Sequence, residues 1–592
     1  MHRITNERHP MNDKASSSGI SFESPQQQAL DLQASAALAH VTGALSPAAG
    51  QLAGLDWAAH LALAPGKQMA LAGLAQRQML QLADYARACA VQAVRGGEAQ
   101  PPLPPPDRRF AAPQWQAWPF NLWQQGFLMA QQWWQAATHG VPGVEKHHED
   151  LVAFAARQWL DLLSPGNLPW ANPVVIERTV REAGANLARG LQHWAEDVSR
   201  QADGAPLAGT EQFRPGHEVA LTPGKVVLRN RLIELIQYTP ATPTVHAEPL
   251  LIVPAWIMKY YILDLSPHDS LIKYLVERGH TVFCVSWKNP GWDERDLGMD
   301  DYLQLGLYEA LDAVVRICPK RRVHAAGYCL GGTLLSIGAA AMARDGDTRL
   351  ASTTYFAAQS DFSEPGELSL FIDASQLNLL EAQMNEAGYL KAQQMAGAFS
   401  MLRSYDLLWS RMVNEYLLGE RAPMNDLMAW NADATRMPAR MHTQYLRRMF
   451  LHNDLSEGRY RVDGRPVSLG SLKLPTFMVG TLTDHVAPWR SVHKLHFLSP
   501  AEITFVLTSG GHNAGIVNPP DPASRRSYQM LRRAEGDSYL GPDDWLDAAP
   551  RHEGSWWPAW QQWLASRSGT RVKPPRMGQA LADAPGSYVL VK

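Results

Sequence analysis

Residues 323–326 are mostly apolar and read as a strand, residues 333–343 are small and read as a helix, and between them stands Gly327-Tyr328-Cys329-Leu330-Gly331-Gly332. A strand that turns directly into a helix leaves room only for small residues two positions to either side of the turning residue. It also lifts that residue's side chain clear of the sheet. The turning residue here is Cys329, which makes it the candidate nucleophile. On its own, a glycine-flanked cysteine reads equally well as a buried structural thiol, so the rest of the chain has to decide.

At 592 residues the chain exceeds one ordinary core, and two to four units are expected. A net charge of −3 gives no basic footprint, so nucleic acid is not an expected partner. Four cysteines (Cys89, Cys284, Cys318 and Cys329) lack C-x-x-C spacing, which argues against zinc or a disulfide framework and fits a reducing cytosol. No uncharged apolar run reaches the roughly 18 residues a membrane span needs; residues 249–265 come nearest and carry Lys259 and Asp264. The 20 tryptophans imply a large apolar contact surface, in the core or toward something greasy.

Residues 1–28 are polar and read as a disordered tail, with no apolar segment of the kind a signal peptide needs. Residues 29–97 read as helices, and the polyproline run 101–106 is a stiff linker, so 29–106 form one segment. A helical N-terminal domain is expected over 107–217. It begins with eight aromatics in residues 110–134, which read as helices docking on a larger domain. His147-His148-Glu149-Asp150 resembles a metal cluster, but neighbouring residues do not easily face one ion, and a solvated helix start explains the charges; no metal is expected. From about residue 218 short apolar runs at 250–255, 281–285, 323–326, 353–357, 476–480 and 503–507 alternate with helical stretches, the pattern of a parallel sheet buried on both faces. The interval 361–448 is far longer than a crossover requires and reads as an inserted cap.

In an α/β-hydrolase sheet the nucleophile is followed in the chain by an acid and then a histidine, on loops after late strands. Asp484 follows the run 476–483, and His512 follows 503–507 in Ser509-Gly510-Gly511-His512-Asn513, whose glycines permit a sharp return over the sheet. His512 would deprotonate Cys329, because the thiolate is the nucleophile. Asp484 would hold the imidazole's tautomer or act on a substrate proton itself. The Leu330 amide at the helix start would donate to an oxyanion, joined by a second amide near Ile257 or Met258. His485 competes for the base role but abuts the acid and lacks a glycine turn; a structural hydrogen bond is its expected role. Cys284 and Cys318 lie on no elbow and read as core.

The sequence resembles the polyhydroxyalkanoate synthases, class I type. The resemblance rests on Asp107-Arg108-Arg109-Phe110, Leu221-Thr222-Pro223-Gly224-Lys225-Val226-Val227, Lys259-Tyr260-Tyr261-Ile262-Leu263-Asp264-Leu265, Val285-Ser286-Trp287-Lys288-Asn289-Pro290, the Cys329 elbow, Trp430-Asn431-Ala432-Asp433, Asp484-His485-Val486-Ala487-Pro488-Trp489, Gly511-His512, and Gly554-Ser555-Trp556-Trp557-Pro558. It spans about residues 107–592. It implies an α/β-hydrolase catalytic domain over 218–592 with the cap inserted, and polymerisation of (R)-3-hydroxyacyl-CoA to polyester with release of CoA. By its motifs it assigns the nucleophile to Cys329, the acid to Asp484 and the base to His512. No cofactor is expected, CoA being a product. The resemblance further implies a homodimer working at cytoplasmic polyester granules, where phasins gather, with a preference for short acyl side chains. Members usually carry Asn where this chain has Met258, which bears on the oxyanion hole. A cysteine-dependent thioesterase or polyester depolymerase, and a non-catalytic granule-binding paralogue, are the alternative readings. Lys320-Arg321-Arg322 reads as a solvated loop before a strand rather than a site for CoA phosphates.

Overall fold

The six apolar runs pair with one another, as continuous burial on both faces requires. The computed structural model describes residues 25–42, 45–95, 107–402, 404 and 408–592. In chain order, β1 is Gly224–Arg229, β2 Ile233–Tyr238, β3 Leu250–Val253, β4 Val282–Trp287, β5 Val323–Tyr328, β6 Leu350–Phe356, β7 Thr476–Thr481, β8 Ile503–Thr508, β9 Ser527–Arg533, β10 Arg551–Glu553 and β11 Ala582–Asp583. They form one sheet of spatial order β10-β9-β8-β7-β6-β5-β3-β4-β2-β1-β11. The six runs are its centre, β8 to β4, joined in parallel. The expectation of a parallel sheet is corrected at the flanks, where β2, β1, β11, β9 and β10 pair antiparallel. All of β9 is partly or fully exposed, so no apolar run announces it.

Helices cover both faces and divide the core into two apolar clusters, one on each side of the sheet. Cys329 packs against both, which places it at the rim where β5 ends. The lysine–arginine loop 320–322 lies at the other end of β5, roughly 20 Å away for a six-residue strand. There Arg322 donates to the Leu350 carbonyl at 2.9 Å, in keeping with a structural loop.

Helices α1 (Pro25–Thr42), α2 (Pro47–Ala62), α3 (Pro65–Arg95), α4 (Phe120–Thr138), α5 (Lys146–Leu162), α6 (Pro173–Arg181) and α7 (Ala185–Ala202) precede the sheet. Pro25–Gln28, expected in the tail, form the first turn of α1; residues 1–24 and the proline run 101–106 lie outside the described residues. The N-terminal helices dock on the cap: His40 of α1 bonds Glu386 at 2.8 Å, Phe154 of α5 meets Phe371 edge-on, and His193 of α7 contacts the Glu415 carbonyl at 3.0 Å. The suspected metal cluster dissolves into separate pairs, His148 with Asp56 at 2.8 Å and His147 with Asp373 at 3.7 Å. No group of three metal-binding side chains occurs among the described residues. Nor is any described helix long and apolar enough to cross a membrane.

Five histidines are buried neutral. Desolvation lowers His280 and His442 to about 3, His324 and His493 to about 4, and His496 to about 2. Each binds its proton more tightly when unfolded, near pH 6.5, than when folded. Their share of stability is therefore complete above pH 6.5 and is lost as pH falls toward 4. The urea unfolding midpoint is expected to drop steadily from pH 7 to pH 4.5; a flat midpoint would mean that these rings do not stay neutral in the folded state.

Candidate active site

The elbow forms because glycine occupies the positions where a side chain has no space. A Cβ on Gly327 would lie 2.4 Å from the Gly332 Cα, and one on Gly331 would lie 2.0 Å from the Val253 carbonyl oxygen. Between them Cys329 adopts φ 52° and ψ −123°, a conformation that L-residues rarely take and that costs about 1–3 kcal/mol. Its amide is held by the Phe356 carbonyl at 2.9 Å, and its own carbonyl accepts the Gly332 amide at 2.9 Å. Gly331→Ala is expected to destabilise the chain by about 3 kcal/mol, the upper end of overpacking costs, because the obstructing atoms are backbone. Wild-type unfolding behaviour in that variant would mean that the elbow is not packed this closely.

Asp484 follows β7 and is almost wholly buried. Its Oδ1 accepts the amides of Val486 and Ala487, each at 2.9 Å, while its Oδ2 accepts the Thr481 hydroxyl at 2.9 Å and His512 Nδ1 at 2.8 Å. Burial alone would raise its pKa, but the His512 charge and hydrogen bond, the Ala487 amide and Thr481 together hold it below the ordinary carboxylate value. His512 shows the reciprocal effect. Burial would lower it, yet Asp484 and the hydrogen-bonded Cys329 thiol, by charge and by hydrogen bonding, raise it well above an ordinary imidazole. With Nδ1 committed to Asp484, the ring offers Nε2 to the sulfur.

Gly510 makes the return turn at φ +105°, whereas Gly511 needs no such conformation. The Tyr328 ring lies against His512 with centroids 5.6 Å apart, and its hydroxyl donates to Asn513 Oδ1 at 2.6 Å, bracing the histidine loop against the elbow. His512 bonds the acid through Nδ1. Burial raises the Cys284 thiol well above its ordinary value and brings Cys318 to about 12, so neither supplies a thiolate at neutral pH.

Leu330 is the first residue of α8 (Leu330–Arg344), where backbone amides have no intrahelical acceptor. The segment after β3 lies against this helix start, since a Cβ on Gly331 would also meet the Pro254 carbonyl. Met258 pairs with Ala434 in an isolated antiparallel bridge; the Ile257 carbonyl accepts the Thr435 amide at 3.3 Å and the Trp256 carbonyl accepts the Thr435 hydroxyl at 2.5 Å. No hydrogen-bond partner for the Met258 amide occurs among the described residues. Met258 packs against the same apolar cluster as Cys329.

Sequence reasoning did not find Tyr445, which the cap segment brings within electrostatic reach of the nucleophile. Its hydroxyl is pushed up first by burial and then by the Cys329 sulfur, and its ring meets Phe450 edge-on and lies near His442. A tyrosine in a helical stretch between Met441 and Leu446 carries no signal of such a role. A partly buried thiol and imidazole in one hydrogen-bonded series with a buried carboxylate, with Tyr445 in electrostatic reach of the sulfur, are equipped for acyl transfer through a thioester.

Comparison with known proteins gives the family. Residues 106–275 match the family described as poly-beta-hydroxybutyrate polymerase (PhaC) N-terminus, residues 25–67 the family described as poly-beta-hydroxybutyrate polymerase N terminal, and residues 248–519 the alpha/beta hydrolase fold. The chain is 41% identical over 510 residues to a poly(3-hydroxyalkanoate) polymerase of Methylorubrum extorquens, covering 84% of this chain and 83% of that protein. It is 40% identical over 494 residues to a poly(3-hydroxyalkanoate) polymerase subunit PhaC of Rhizobium meliloti, covering 82% and 80%. To the PhaC subunit of Cupriavidus necator it is 35% identical over 561 residues, covering 92% of each chain.

Proposed function

Because this chain belongs to the poly(3-hydroxyalkanoate) polymerase family, we propose that it polymerises (R)-3-hydroxyacyl-CoA through an acyl-Cys329 intermediate. The observation that carries this reading is the hydrogen-bonded series Cys329–His512–Asp484 at the end of β5. The Cys329 thiolate attacks the thioester carbonyl; the C–S bond to CoA breaks, and the imidazolium of His512 protonates the departing CoA thiolate. The neutral His512 then takes the proton of an incoming 3-hydroxyl as that oxygen attacks the acyl-cysteine. An ester bond forms, and the thiolate–imidazolium pair is restored. Asp484 holds the imidazole throughout, and the oxyanion of each addition is met by the Leu330 amide together with the amide of Met258. The residues use no cofactor beyond the CoA that the substrate brings.

The product is insoluble, so the working place of the enzyme is the granule surface in the cytoplasm. α7 suits that place: Leu187, Leu191, Trp194 and Val198 recur at helical spacing and are all exposed. A homodimer, and phasins beside it on the granule, belong to the same proposal. Incubating the protein with (R)-3-hydroxybutyryl-CoA, while following both free CoA and the acyl product, tests it. CoA release with insoluble polyester supports the reading. Release with only free 3-hydroxybutyrate would make the protein a thioesterase, and no release from any acyl length would leave a non-catalytic granule protein.

A further inference from the structure

Residues 587–592 cross from the edge of the sheet to the root of the cap. The fully buried Glu234 of β2 accepts the Ser587 and Tyr588 amides at 2.9 and 3.0 Å, and the Tyr588 hydroxyl donates to the Asn230 carbonyl at 2.5 Å. Beyond this anchor the Val591 carbonyl accepts Lys259 Nζ at 2.7 Å and Asn289 Nδ2 at 3.3 Å. The next carbonyl, of Lys592, accepts Arg436 Nη2 at 2.8 Å, and Lys592 Nζ reaches Asp433 at 2.7 Å.

Lys259 is 2% exposed and stands next to Met258. It has no carboxylate in ion-pair range among the described residues; the carbonyls of the 588–591 turn receive its protons instead, with Tyr588 at 3.5 Å. A buried ammonium whose hydrogen bonds go to carbonyls is costly, and burial brings it down to about 8, with the more distant Asp433 charge opposing. Its backbone carbonyl meanwhile accepts Trp430 Nε1 at 2.8 Å. The residues on either side of it in space, Met258 and the Asp433–Arg436 stretch, are the two sides of the bridge that shapes the loop behind the nucleophile.

We infer that Lys259 is a positioning residue: by bonding the strap 588–591 it fixes the Ile257–Met258 loop and the cap root in one register, and so aims the oxyanion amide. The inference rests on the polymerase reading for its kinetic consequence, though not for the contact itself. Arg436 grips the same strap from the cap side, with its amide and Nε on Asn289 Oδ1 at 2.9 and 3.3 Å. The two cations therefore act through one element, and their removals should not add.

Lys259→Met, Arg436→Gln and the double variant, made in the full chain, test this. Lys259→Met is expected to lower kcat by at least about tenfold, as small displacements at a reacting centre do, with KM within about threefold of wild type. The double variant should be no slower than the worse single variant, Lys259→Arg should recover part of the rate, and the amides of 588–591 should exchange with deuterium at least about tenfold faster in Lys259→Met. Unchanged kcat, a loss confined to KM, multiplying losses in the double variant, or unchanged exchange would each overturn the inference. If the wild type makes no polyester, the polymerase reading fails by itself, and the exchange experiment still decides whether Lys259 holds the strap.

Discussion

Cys329→Ala is expected to abolish polymer formation, with a loss of at least about 10⁴-fold, because removing the nucleophile of a triad leaves only binding and oxyanion contacts. The fold should survive: alanine is small, the amide and carbonyl of residue 329 keep their bonds to Phe356 and Gly332, and only a partly buried thiol is lost. The strained φ of 52° remains for alanine to bear, so a modest fall in stability accompanies the loss. The measurement is a pair of assays on the same preparation: CoA release from (R)-3-hydroxybutyryl-CoA, and the mass of the intact protein after brief exposure to that substrate. Wild type should gain acyl mass at Cys329 and the variant none. Polymer made at an appreciable rate by the alanine variant would remove Cys329 from the mechanism and return it to the structural thiols.

Asp484→Asn is expected to cost about 10³–10⁴-fold in kcat, as for carboxylates that orient a catalytic histidine. The carboxylate takes four hydrogen bonds on two oxygens, and an amide cannot accept all four. Either the amide nitrogen faces the Val486 and Ala487 amides, or it faces Thr481 and His512. The pH dependence gives the sign. Burial opposes it, but Asp484 and Cys329 raise His512 well above its ordinary value, so the imidazolium persists at neutral pH. Removing the negative charge of the carboxylate lowers His512, and the imidazolium is then lost at lower pH. The titration midpoint of the His512 ring, followed by NMR, should therefore shift downward in Asp484→Asn. An unshifted midpoint with lost polymerisation would mean that Asp484 acts on the substrate hydroxyl rather than through His512.

How much of this was legible in the sequence follows from the range of the interactions concerned. The elbow could be read because glycine sterics act within five residues. The order of Cys329, Asp484 and His512 could be read because each ends a run whose burial marks it as a central strand. The antiparallel flanks were not legible: β1 carries Lys225 and Arg229, β2 carries Glu234 and Gln237, and β9 is partly exposed, so none of the three shows the continuous apolar pattern of the centre. The family resemblance named segments on these flanks without showing that they were strands. His512 and His485 were distinguished by a glycine turn, yet of the two glycines invoked only Gly510 takes the left-handed conformation.

By itself the amino-acid sequence determined the six central strands and the elbow at Cys329, because each is written in local sterics or in the period of burial, and it offered Asp484, His512 and an inserted cap as expectations. Tertiary structure alone decided what surrounds them. It brought Tyr445 within electrostatic reach of Cys329, set α1 against the 361–448 stretch through His40 and Glu386, and joined Lys259 to Val591 across 332 positions of chain. Contacts of that range depend on how whole layers pack, and no local pattern records them.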